Sequence, residues 1–84
     1  MEAKIKTSMK ATVNYQQVKG FLGQDVNNNG MRWLFVESRK TRRPYPVALV
    51  DALNGEIVHY EPQQQMSDFT NEQVADALLE AARS

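Results

Sequence analysis

The sequence predicts an α+β fold, a small antiparallel β-meander of three to five strands covered on one face by a C-terminal amphipathic helix. Three observations carry that prediction. Apolar and polar residues alternate with a period of two in the first half of the chain. An Asn54-Gly55 pair sits between two β-rich runs, the strongest short hairpin signal. A helix-start signature then precedes an apolar stripe near residue 70. At 84 residues there is material for one hydrophobic core, so residues 1–84 are read as a single domain.

The strands follow in order. Met9, Ala11, Val13 and Tyr15 alternate with Lys10, Thr12 and Asn14, which predicts a half-buried strand over about 9–15. The segment from Tyr15 to Val26 fits two conformations. Tyr15, Val18 and Leu22 have helical spacing, but Gly20 and Gly23 weaken a helix. The loop Asn27-Asn28-Asn29-Gly30 tolerates positive φ, as a hairpin turn demands, and the hairpin is preferred. Residues 31–38 form the best strand. Met31, Trp33 and Phe35 share one face and Arg32, Leu34 and Val36 the other, so a central strand with a second buried face is expected.

Pro44 and Pro46 close a basic loop and are expected outside any central strand. Strands over about 47–51 and 56–61 then flank Asn54-Gly55. A two-residue turn pairs Leu49 with Tyr60, whereas a Gly-bulge turn pairs Val50 with Val58, and the two choices bury different faces. The stretch Val50-Asp51-Ala52-Leu53-Asn54-Gly55-Glu56-Ile57-Val58 resembles the closing hairpin of several small β modules, PepSY-type domains among them. That resemblance implies a hairpin and carries no function.

The helix is expected over about 71–83. Thr70 and Gln73 have capping-box spacing, Phe69 and Val74 that of a hydrophobic staple. Val74, Ala77, Leu78, Ala81 and Ala82 make the apolar stripe. A helix of this length is marginal alone and must lay its stripe on the sheet.

Composition narrows the function classes. There is no cysteine and one histidine, His59, so neither a thiolate metal site nor a Cys–His nucleophile pair can be built. No phosphate-loop glycine pattern is present, no partner at motif spacing would make Tyr15, Tyr45 or Tyr60 an acid, and the carboxylates of the C-terminal helix stand on an exposed face where nothing would perturb a pKa. The expectation is a chain that is not an enzyme and takes no cofactor or metal. No apolar run approaches the length of a membrane span, and the first residues lack a signal-peptide core, so a cytoplasmic protein is expected.

Zero net charge hides a segregation. Residues 1–50 carry nine Lys and Arg against three carboxylates, and residues 51–84 carry Arg83 against seven. Two candidate partner-binding features follow. Arg39, Lys40, Arg42 and Arg43, followed by Tyr45, make a basic loop with aromatic neighbours that suits phosphate and base contacts. Glu72, Asp76 and Glu80 form an acidic stripe at i, i+4, i+8 that suits a basic partner or the basic loop of a second copy. Each also has a plain explanation, as a solvated turn and as the wet side of an amphipathic helix. The function expected is a small non-catalytic protein-binding or regulatory module, self-association included, with a nucleic-acid-binding domain as the alternative.

Overall fold

The computed structural model describes residues 5–37, 43–62 and 69–83. Five strands, β1 (Ser8–Val13), β2 (Gln16–Asp25), β3 (Met31–Glu37), β4 (Pro44–Asp51) and β5 (Glu56–Tyr60), are followed by helix α1 (Asn71–Ala82). The strands pair antiparallel in the order β1-β2-β3-β4-β5, the simplest meander, and α1 packs across one face. The predicted α+β class and its single covering helix are therefore observed.

The ambiguous segment is strand throughout. Asn14 and Tyr15 take φ of 48° and 66°, which turns β1 into β2 and ends the first strand at Val13. Tyr15, expected to face inward at the end of a strand, is instead fully exposed at the turn. The β2–β3 turn uses the anticipated residues, with Asn28 at φ 55° and Gly30 at φ 89°. Asp25 organises it, accepting hydrogen bonds from the backbone N–H of Asn27 (3.2 Å), Asn29 (3.2 Å) and Gly30 (2.7 Å). Burial works to raise the Asp25 carboxyl. The backbone donors of Gly30, Asn27, Asn29 and Asn28 outweigh it and hold the pKa below its ordinary value.

Two expectations about β4 are corrected. Pro44 and Pro46 lie inside this strand, although β4 has neighbours on both sides. They are accommodated because Pro46 sits at a register shift against β3, and the ladder to β5 begins only at Ala48. The closing hairpin also follows neither of the two simple registers along its whole length. Ala48 pairs with Tyr60 and Leu49 with His59, the alignment of the Gly-bulge alternative. A further shift then sets Val50 against Ile57 and Asp51 against Glu56. The Asp51 carboxylate accepts from the N–H groups of Leu53 and Asn54 and from Asn54 Nδ2, and so fixes a wider turn with Gly55 at φ 71°.

The core lies between sheet and helix. Met9, Val13, Val18, Leu22, Leu34, Val36, Ala48 and Val50 face Val74, Ala75, Leu78, Leu79 and Ala82, all buried. Ile5 joins them, held by the Lys6 N–H bond to the Ala82 carbonyl at 3.0 Å. Gly20 provides the close approach: a Cβ there would lie 2.6 Å from Leu78 Cδ1 and 2.9 Å from the Phe35 carbonyl. The capping box forms as expected, with the Gln73 N–H donating to Thr70 Oγ1 (3.1 Å) and the Thr70 N–H to Gln73 Oε1 (3.0 Å). At the other end Arg83 caps the helix and donates through Nη2 to the Gly55 carbonyl.

Candidate functional site: the helix-free face of the sheet

Residues directly opposite one another in an antiparallel ladder share a face. The registers therefore map the side that α1 leaves uncovered. One row across it is Ser8–Phe21–Phe35–Pro46, and the next is Trp33–Leu49–His59. Lys10 and Lys19 form a pair beyond the first row, on the β1–β2 side. Asp51 and Glu56 close the opposite end, on the β4–β5 side, with Met31 of β3 beside Asp51.

The middle of this face is apolar and aromatic. Phe21 and Phe35 stack with ring centroids 5.3 Å apart. Trp33 meets the His59 ring edge-on at 6.5 Å. Trp33, Phe35, Leu49 and Met31 are half-buried, and Phe21 is 37% exposed. The second buried face expected from the β3 pattern is thus only half covered, because one helix screens one side of a sheet. Leu34 and Val36, on the helix side, are the buried half of that strand.

The ends of the face are charged with opposite sign. Lys10 lies opposite Lys19 at one corner, and Asp51 lies opposite Glu56 at the other. An open concavity of about 610 Å³ adjoins the basic corner, lined by Lys6, Lys10, Lys19, Phe21 and Glu37 among others. On β5, the exposed His59 places Nε2 3.1 Å from Glu61 Oε1.

The site residues singled out from sequence are dispersed. Arg39, Lys40 and Arg42 lie outside the described residues, so only Arg43 of the basic loop is placed, exposed beside the start of β4. Tyr45 pairs with Val36 and packs half-buried against the core, on the helix side. Glu72, Asp76 and Glu80 are exposed on α1. Asp76 accepts a 2.5 Å hydrogen bond from the Tyr60 hydroxyl. That bond, with burial and the Asp76 and Glu72 charges, pushes the Tyr60 pKa up to about 12. Glu80 lies 3.6 Å from Arg83. The acidic stripe is therefore partly engaged within the chain, on the side of the molecule away from the aromatic face.

Sequence reasoning grouped Met31, Trp33 and Phe35 correctly but missed Phe21, Leu49 and the two like-charged pairs. Phe21 lay in the segment of open conformation. Asp51–Glu56 depends on the register shift between Leu49 and Val50, and Lys10–Lys19 on the turn at Asn14 and Tyr15 that sets β2 against β1. Among the described residues no group of three or more His, Asp or Glu side chains is placed to hold a metal ion, and no helix is long and apolar enough to cross a membrane. Comparison with protein-family models, curated proteins and solved structures returns no match to this chain.

Proposed function

We propose that this chain is a non-catalytic protein-binding module that docks through the helix-free face of its sheet, with self-association among its uses. One observation carries the reading: Phe21, Phe35, Trp33, Leu49 and Met31 form a continuous apolar centre that no element of the described chain covers. Aromatic residues and Met at the middle of a patch, with charges confined to its rim, are the composition of a protein interface.

The nucleic-acid alternative finds less support on this face. Aromatic rings suit base stacking, but Asp51 and Glu56 share the surface with Lys10 and Lys19, and Glu37 lines the concavity beside the lysines. Carboxylates there repel the phosphates that supply most nucleic-acid affinity.

A capture experiment tests the reading. The wild type and a Phe21→Ser/Leu49→Ser variant are used as baits in cell lysate, with and without nuclease. The reading expects captured proteins that survive nuclease and are lost with the variant. Capture that nuclease abolishes, or that the variant retains unchanged, contradicts it.

A further inference from the structure

Two cross-strand pairs on the free face are unfavourable within one copy of the chain. Lys10 is directly opposite Lys19, and Asp51 is directly opposite Glu56. Like charges directly opposite one another across a ladder are destabilising, whereas opposite charges there are stabilising. Here one corner is net basic, since Lys6 joins Lys10 and Lys19 there against Glu37 alone, the diagonally opposite corner carries the two anions Asp51 and Glu56, and the apolar centre lies between them.

We propose that the occupant of this face is a second copy of the same chain, related by a two-fold axis lying in the interface. The inference rests on the docking face argued above and adds the identity and orientation of the partner. A two-fold interface is self-complementary, so each patch meets its own image. An axis perpendicular to the line joining the charged corners lays Lys10 and Lys19 of one copy over Asp51 and Glu56 of the other, and does so twice. Both unfavourable pairs are thereby neutralised by one operation, and the Phe21–Phe35 stack and Trp33 pack against their counterparts. Asp51 keeps its role in the turn, because accepting hydrogen bonds leaves the carboxylate anionic.

Sheet geometry fixes the arrangement further. Three strand spacings of about 4.8 Å and six residues of about 3.3 Å separate the corners by roughly 24 Å along a diagonal. Rotation about the two-fold axis then crosses the strands of the two copies at about 70°, nearer the orthogonal class of sheet packing than the aligned one. The size is adequate. Five strands by seven residues give a footprint of roughly 24 × 23 Å, and side-chain relief brings its accessible area towards the ~800 Å² per partner of a standard interface. The apolar centre supplies affinity, while the rim charges select the orientation and suppress others.

Sedimentation equilibrium on three forms of the full chain tests this. Wild type is expected to be a dimer at tens of micromolar in low salt, weakening as salt rises. Lys10→Glu/Lys19→Glu makes both corners acidic, and Asp51→Asn/Glu56→Lys turns the acidic corner basic while keeping an acceptor for the turn. Each variant alone is expected to dissociate about 100-fold more readily, since juxtaposed like charges cost several kcal/mol. Mixed in equal amounts, the two variants are expected to form a heterodimer, because their reversed corners are again complementary. That rescue also proves both variants folded. A wild-type monomer, variants that still self-associate, or a mixture that stays monomeric overturns the dimer. If the monomer nonetheless captures a protein that Phe21→Ser/Leu49→Ser loses, the docking face stands and only the identity of its occupant fails. A dimer unaffected by Phe21→Ser/Leu49→Ser overturns both.

Discussion

Phe35 stacks on Phe21 because Gly23, two residues further along β2, has no side chain: a Cβ there would lie 2.8 Å from Phe35 Cε2. The glycine that weakens a helical reading of this segment thus shapes the aromatic surface. Gly23→Ala must displace the Phe35 ring. Because the ring is half-exposed and can turn away, the expected destabilisation is below about 1.5 kcal/mol, with a clear change in the ring-proton shifts of both phenylalanines. Unchanged shifts would mean that the ring does not rest over Gly23.

Gly20 answers to a different neighbour. It faces the helix, and a methyl group there meets Leu78 and the Phe35 carbonyl, the latter unable to move without the ladder. Gly20→Ala is expected to cost about 1–3 kcal/mol by overpacking. A urea melt within a few tenths of wild type would show that helix and sheet have room to part.

The two faces of β3 should respond differently to truncation. Leu34 is fully buried under α1, and Leu34→Ala is expected to cost about 2–5 kcal/mol, enough to unfold a domain of this size. Trp33 is half-buried on the free face, so Trp33→Ala should cost distinctly less in dilute solution. Equal losses in denaturant melts run below the association range would contradict the assignment of faces.

How much of this was legible in the sequence depends on where local signals suffice. The helix start was readable because Thr70 and Gln73 sit within one turn of each other, and Thr70→Ala is accordingly expected to cost about 1 kcal/mol in a urea melt. The two faces of β3 were readable from its period of two, but which face the helix covers was not, because Trp33 and Phe35 are as apolar as Leu34 and Val36. The prolines of β4 and the register of its hairpin were not. Both depend on register shifts, between Leu34 and Phe35 and between Leu49 and Val50, that exist only once the strands are paired. For the same reason the candidate site misled: the cations and carboxylates that stand out in sequence are runs, whereas the informative pairs, Lys10 with Lys19 and Asp51 with Glu56, exist only once strands are aligned.

Among the described residues, Asp25 and Tyr60 contribute to the pH response with opposite signs. The Asp25 carboxyl is lowered in the fold, so its contribution is present above the ordinary carboxylate range and is lost as pH falls through the folded value. The Tyr60 hydroxyl is raised to about 12, so its contribution is present below the ordinary tyrosine value near 10 and is lost as pH climbs from there towards 12. Asp25→Asn should flatten the acid limb of a stability–pH curve and Tyr60→Phe the alkaline limb. Tyr60 is 37% exposed, and solvent screening keeps its contribution below about 1 kcal/mol. Curves whose limbs are unmoved by these changes would remove both groups from the account.

The most direct test of the docking face uses the one tryptophan of the chain, which lies at its centre. Trp33 emission is measured as the protein is concentrated from nanomolar to tens of micromolar in low salt, then as salt is added. Closure of two free faces over Trp33 predicts a blue shift that develops with concentration and reverses with salt. Emission that stays the same across the whole range would contradict it.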